Sequence, residues 1–211
     1  MPPAREFRRD EPAKRWRVLS GRLIELVPLD RSHAADLYAA GADADIWRHL
    51  PGRPFADVAD VERWIEQAQQ LAAQGRELPF AIVSKSEERA IGSTRYLDIR
   101  PEEKAVEIGW TWLAKAHQRT GANTEAKYLM LKHAFEDRGF LRVGFFTDAQ
   151  NGRARAALVR IGATYEGTLR LHRARLSNGF ARDSAVYSVI APEWSSVRNR
   201  LEMKLKSASR R

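Results

Sequence analysis

The segment GRLIELVPL, Gly21 to Leu29, has strand character. Leu23, Glu25 and Val27 fall on one face and Ile24, Leu26 and Pro28 on the other, which predicts an early strand. A short helix is expected from Ser32 to Ala40, closed at Gly41 and followed by a loop carrying HLPGRP, His49 to Pro54. Asp57 stands where it can cap a second helix, whose apolar face is Val58, Val61, Ile65, Ala68 and Ala72 and which runs to Gly75. Three strands follow, LPFAIVS from Leu78, AIGSTRYLDI from Ala90 and AVEIGWTWL from Ala105. The charged turns KSEER and RPEEK separate them, as in an antiparallel meander. The period then changes. Ala126, Leu129, Met130 and Ala134 recur at helical spacing between Ala122 and Gly139, and FLRVGFFT from Phe140 is strand-like again, so the pattern predicts a β–helix–β crossover. Asn151 is placed to cap a compact helix with Ala154, Ala157, Leu158 and Ile161 on one face, closed by a left-handed Gly162. Two more strands, Ala163–Leu171 and Ser184–Ile190, are joined through a turn at Asn178-Gly179. Pro192 opens a last helix with Trp194, Val197, Leu201 and Leu205 on one side and basic residues elsewhere.

With 211 residues, 44% of them hydrophobic, the chain can bury one full core. The expected organisation is a basic extension over residues 1–17, one domain over 18–194, and a basic C-terminal helix and tail over 195–211. No apolar run has the roughly 20 residues that span a bilayer, and MPPAREFRRD leads into no apolar segment, so the expectation is a soluble cytoplasmic protein that makes no membrane contact. The absence of cysteine excludes disulfides, thiolate catalysis and thiolate metal sites. The formal charge of +9 is concentrated at the ends. Residues 1–17 hold six basic residues against three acidic and residues 198–211 six against one, leaving +1 for residues 18–197. A nearly neutral body argues against a dedicated nucleic-acid-binding fold and confines any such contact to the basic ends.

The order of elements and five segments carry a family resemblance. EIGWTWL (Glu107–Leu113), TEAKYLMLKHAF (Thr124–Phe135), TDAQN (Thr147–Asn151), ALVRIGATYEGTLR (Ala157–Arg170) and NGFARDSAVYSVI (Asn178–Ile190) occur here in that order. In order and spacing they resemble the RimJ/RimL-like branch of the GNAT superfamily, which includes ribosomal-protein N-acetyltransferases. The resemblance covers roughly Leu19 to Trp194. It implies an α/β (α+β) GNAT fold, with a central mixed, mostly antiparallel twisted sheet flanked by helices. It also implies acetyl-coenzyme A as cosubstrate, without a metal. Between the third meander strand and the crossover helix the sequence reads Gln118, Arg119, Thr120, Gly121, Ala122, Asn123, where the family has Q/R-x-x-G-x-G/A. Unpaired amides and the positive end of the helix dipole make such a loop an anion site. By resemblance Arg119, Thr120, Gly121, Ala122, Asn123 and Thr124 hold the pyrophosphate. Thr111, Trp112 and Leu113 pair through their backbone with the pantetheine arm, and Asn151 contacts the cofactor near its thioester.

Two positions depart from the family. Asn123 replaces Gly or Ala, and as a helix cap its side chain would compete for the loop amides. Ala154 stands where the RimL-like enzymes have a serine near the sulfur, so Thr147, Tyr187 or a water is left as proton donor. Arg173 falls near the place of a family carboxylate. Glu107 is the candidate base for the amine, acting directly or through water, and Tyr187 completes the candidate catalytic pair. His49, His117 and His172 titrate in a suitable range, and Arg153 and Arg155 are candidates for the 3′-phosphate or an acidic acceptor. Each position also has a purely structural reading: Asn151 as a cap, Trp110 and Trp112 as core aromatics, Glu107 as a strand carboxylate paired to an arginine. The expected reaction is direct attack by a primary amine in a ternary complex, with a protein N-terminus favoured, ribosomal-protein-like, and a small-molecule amine as the alternative. A catalytically degenerate RNA- or ribosome-binding module is the alternative of another class. The pattern is compatible with a monomer or a homodimer.

Overall fold

The computed structural model describes residues 17–174 and 181–208. Their strands are β1 (Leu19–Ser20), β2 (Ile24–Pro28), β3 (Glu77–Ser84), β4 (Arg89–Arg100), β5 (Ala105–Leu113), β6 (Arg142–Asp148), β7 (Thr164–Ala174) and β8 (Ala181–Ile190). The helices are α1 (Ala34–Ala40), α2 (Val58–Ala73), α3 (Ala122–Lys132), α4 (Gly152–Ile161) and α5 (Trp194–Ala208). The eight described strands form one sheet in the order β1-β2-β3-β4-β5-β6-β8-β7, antiparallel at every junction except β5–β6. The mixed, mostly antiparallel sheet flanked by helices is the architecture that the family resemblance implies.

Local chemistry accounts for the element starts. Asp57 Oδ1 accepts from Asp60 N at 2.7 Å to open α2, and Asn151 Oδ1 accepts from Ala154 N at 2.9 Å to open α4. Gly162 closes α4 at φ 96°, a left-handed conformation that costs glycine little. Pattern and structure differ in four places. The first helix begins with a 3₁₀ turn, Arg31–His33, because Asp30 caps Ser32 N at 2.8 Å. A two-residue strand, β1, is added ahead of β2, and α3 passes into a π-helical turn, His133–Asp137, before Gly139. The β6 strand starts at Arg142 rather than Phe140. The turn at Asn178-Gly179 lies outside the described residues.

Two apolar clusters cover the two faces of the sheet. On one, Ile24, Phe80, Tyr96, Val106, Ile108, Phe145 and Val189 meet α3, α4 and α5 through Met130, Leu158, Ile161 and Leu201. On the other, Ala81, Ala90 and Trp112 meet α1 and α2 through Leu37, Val61 and Ile65. Because Trp194, Val197 and Leu201 are buried in the first cluster, α5 belongs to the same core as the sheet. Glu125, buried in the first turns of α3, ties that helix to the sheet: its carboxylate accepts from the backbone N–H of Arg22 (2.9 Å), Leu23 (2.7 Å) and Ile24 (2.8 Å).

Replacing Glu125 with Ala leaves three amides at the start of β2 without their acceptor. The Ile24 bond is buried and those of Arg22 and Leu23 are partly so; at about 1–3 kcal/mol for a buried unsatisfied donor, urea unfolding should show a loss of roughly 1–3 kcal/mol. A loss below ~1 kcal/mol would mean that the carboxylate does not organise this junction.

Candidate active site

The site is built by a separation of strands. β5 and β6 are paired only at Ala105–Arg142, Val106–Val143 and Glu107–Gly144. Beyond Glu107 the two strands run on to Leu113 and Asp148 without pairing to each other, which opens a cleft of about 1000 Å³ between them. Its walls include Ile108 to Leu113 on one side and Phe145 to Thr147 on the other. The loop Gln118–Gly121 and the start of α3 lie at one end, and the start of α4 lies across it.

A β-bulge shapes the β5 wall. The register with β4 slips between Ser93↔Trp112 and Arg95↔Gly109, and Trp110 takes φ 48°. One extra residue exchanges the faces to which all later side chains point. Val106 and Ile108 face α3, whereas beyond the bulge it is Leu113 that faces α3 and Trp112 that joins the α1–α2 cluster. There Trp112 lies 5.4 Å from Trp47 and 6.4 Å from Trp64, centroid to centroid. The bulge is propped by Arg95, whose guanidinium sits 4.6 Å from the Trp64 ring and 4.9 Å from the Trp110 ring and pairs with Glu77 at 2.7 Å.

The loop has the geometry of an anion cradle. Arg119 adopts φ 63°, turning the chain so that Gly121 takes the N-cap position of α3. Thr120 Oγ1 receives the Ala122 amide at 3.2 Å, while the amides of Gly121, Asn123 and Thr124 have no acceptor among the described residues. Asn123 lies inside the helix, one position beyond Ala122, and its side chain takes none of these amides, so the competition expected of it is absent. Gln118 Nε2 donates to Leu113 O at 3.0 Å, and its Oε1 accepts from Arg153 at 3.1 Å. Arg153 also reaches Asp45 Oδ2 at 3.3 Å and so crosses the cleft from the start of α4. Arg119, Arg160 and Lys204 add basic groups to the lining. A long cleft with an unpaired strand edge, unpaired helix amides and flanking cations fits a ligand with an amide-bearing arm and a phosphate-rich end.

The other expected residues divide clearly. Thr111, Trp112, Leu113, Arg119, Thr120, Gly121, Asn123, Thr124 and Asn151 line the cleft, and Ala122 is buried directly beneath the loop. Glu107 lines it at the point where the strands part, only 5% exposed, on the face opposite Val106 and Ile108. Burial pushes the Glu107 carboxyl above the usual carboxylate range, and Arg173, 3.3 Å away, partly offsets this. Tyr187 is not brought to the cleft: its hydroxyl accepts from Arg155 Nε at 3.1 Å and its ring packs 5.2 Å from Tyr165. Thr147 and Ala154 are cleft residues and Arg155 is not. Among the histidines, His49 lines the cleft with Nδ1 3.3 Å from the buried Asp148 carboxylate. His117 pairs with Glu87 at 2.6 Å and His172 stacks on Phe146 at 5.5 Å, both outside the lining.

Lys127 was not anticipated as a site residue. It is 4% exposed, lines the cleft, and donates to Thr111 Oγ1 at 2.5 Å and Thr94 Oγ1 at 3.3 Å. Desolvation lowers its pKa from 10.5 to about 7. The signal was present in the spacing, since Lys127, Met130 and Ala134 recur at i, i+3 and i+7 on the buried face of α3.

An unfolded lysine keeps its proton up to about 10.5. The folded Lys127 releases it near 7, so stability should rise with pH across that window. Relative to Lys127→Met, the native chain should gain stability between about pH 7 and 10 at ~1.4 kcal/mol per unit of pKa difference. Urea unfolding of both chains at the two pH values measures this, and a pH-independent difference would contradict it.

The comparisons with known proteins agree with this geometry. The acetyltransferase (GNAT) domain profile matches residues 23–164. A GCN5-related N-acetyltransferase structure from Brucella melitensis superposes with a TM-score of 0.84 at 27% identity, covering 91% of this chain and 90% of that one. A putative acetyltransferase from T. thermophilus gives 0.81 at 34% identity, covering 90% of this chain and 97% of that one. RimL, described as a ribosomal L7/L12 alpha-N-protein acetyltransferase in complex with coenzyme A, shares the fold at 20% identity with a TM-score of 0.71, covering 82% of this chain and 98% of that one. Strand separation, bulge and anion cradle thus occur in a chain that belongs to the GNAT acetyltransferase family.

Proposed function

We propose that the protein transfers acetyl from acetyl-coenzyme A to a primary amine, with a protein N-terminus as the favoured acceptor. The observation that carries this reading is the unpaired β5 edge leading directly to the unpaired amides of α3. In it, Gly121, Asn123 and Thr124 hold the pyrophosphate through their amides, with Arg119 beside them, Thr120 and Ala122 shaping the loop, and Thr111, Trp112 and Leu113 presenting the strand edge to the pantetheine arm. Asn151 keeps its place near the thioester end while its Oδ1 caps α4. Bound acetyl-coenzyme A supplies the activated acyl group and the leaving thiolate.

The acceptor amine attacks directly, held in place by the cleft, so no covalent intermediate on the enzyme is required. Glu107 accepts the amine proton, directly or through water. Its burial favours this role, because a carboxyl with a raised pKa is a stronger base once ionised. The loop containing His49, Leu50 and Pro51 lines the same cleft and forms part of the acceptor wall. RimL, whose described acceptor is a protein α-amine, has the same fold, and this favours a protein N-terminus over a small amine. Tyr187 has no part in this mechanism, because its hydroxyl serves Arg155.

Acetyl-coenzyme A in excess should raise the melting temperature of the native chain and leave that of Gly121→Trp unchanged. With a panel of N-terminal peptides, Glu107→Gln should lower kcat on the order of a hundredfold and leave acetyl-coenzyme A binding intact. Turnover of polyamines or aminoglycosides but of no peptide would replace the acceptor assignment. Cofactor binding without acetylation of any amine would favour a degenerate enzyme.

A further inference from the structure

Acetyl transfer also requires a proton for the departing sulfur. At the start of α4 Ala154 offers only its amide, which Asn151 Oδ1 already takes. The opposite wall of the cleft holds a buried polar cluster with suitable chemistry. Lys127 Nζ lies 2.5 Å from Thr111 Oγ1 and 3.3 Å from Thr94 Oγ1, and the two hydroxyls are 2.8 Å apart. Thr94 is fully buried and its hydroxyl also meets Met130 Sδ at 3.5 Å. No carboxylate among the described residues pairs with Lys127.

A lysine that merely filled space here would be worse than methionine, because an ammonium without a counter-charge is costly to bury. Solvent exposure does not explain it either, since the residue is 4% exposed. What distinguishes the position is its contact with the cleft: Thr111 and Lys127 both line it. The bulge at Trp110 brings this about, because without the extra residue Thr111 would face α2 instead of α3.

We propose that the Thr111 hydroxyl and the Lys127 ammonium behind it form a proton relay that protonates the departing coenzyme A thiolate. The inference rests on the acetyl-transfer reading above. As the amine nitrogen bonds to the acyl carbon, the carbon–sulfur bond breaks and its electron pair stays on sulfur. Thr111 gives its proton to sulfur and takes one from Lys127. Lys127, then a neutral amine, recovers a proton through water from Glu107, which holds the one removed from the acceptor. One proton thus leaves nitrogen and one arrives at sulfur, with no other reactant. The lowered pKa of Lys127 suits this, since a lysine that held its proton to 10.5 would yield it poorly to a thiolate. Thr111 is the catalytic residue of the pair, and Lys127 supplies it.

The test begins with coenzyme A alone. Thiolate absorbance is titrated for coenzyme A bound to the native chain, Thr111→Ser, Thr111→Val and Lys127→Met. The native chain and Thr111→Ser should hold the bound thiol at a lower pKa than Thr111→Val and Lys127→Met, by about one unit or more. With acetyl-coenzyme A and an acceptor peptide, Thr111→Val and Lys127→Met should lose kcat on the order of a hundredfold at similar KM for acetyl-coenzyme A. Thr111→Ser should stay within a few-fold of the native rate. Lys127→Arg keeps the charge but cannot release its proton near neutral pH, so it should not rescue kcat. Melting temperatures of the variants separate loss of chemistry from loss of fold. Unchanged thiol titration, native kcat in Thr111→Val, or full rescue by Lys127→Arg would each overturn the relay alone. Failure of coenzyme A to bind the native chain would overturn the acetyl-transfer reading and the relay with it.

Discussion

A strand that leaves its neighbour exposes a row of backbone donors and acceptors, and folded chains rarely tolerate this inside a sheet. Here β5 and β6 part after Glu107 and stay apart for the rest of their lengths. The sheet on either side holds them in this state. β5 remains paired to β4, and β6 to β8 along its whole length, so neither strand can turn to close the gap. Neighbouring residues satisfy only part of the exposed edge, as where Gln118 covers Leu113 O. The groups left over are what an extended, amide-bearing ligand can complete.

The bulge at Trp110 makes the two faces of this cleft chemically different. Up to Glu107 the alternation of β5 directs a buried carboxylate to the face of α1 and α2, where Arg173 meets it. After the bulge the same alternation, shifted by one, directs Thr111 to Lys127 on α3. Glu107 and the Thr111–Lys127 pair therefore stand on opposite faces of the sheet with the gap between them. The Trp64–Arg95–Trp110 stack holds the left-handed residue that this shift requires.

Much of the architecture was legible in the sequence, for definite reasons. The meander, the crossover and the helices α2 and α4 carry strong periodicities, with clear starts at Asp57 and Asn151 and a clear stop at Gly162, and the structure places these elements as expected. The loop that leads into α3 was legible because Gly121 precedes a helical run. The bulge was not, since AVEIGWTWL reads as an unbroken strand and nothing local marks Trp110 as left-handed. Everything that depends on the bulge was hidden with it, including the contact between Thr111 and Lys127. Tyr187 looked available because sequence says nothing of the partner across the sheet, and Arg155 on α4 turned out to be that partner. Asn123 looked like a cap because asparagine often is one, but the left-handed Arg119 moves the helix start to Gly121.

The central claim is that the unpaired amides of the β5 edge and the α3 start are the binding surface for acetyl-coenzyme A. Amide hydrogen exchange, followed residue by residue with and without saturating acetyl-coenzyme A, reads those groups themselves. Slowed exchange should be concentrated at Ile108–Leu113 and Gly121–Thr124, with the meander strands β3 and β4 unchanged. Slowed exchange elsewhere with these two segments unaffected would contradict it.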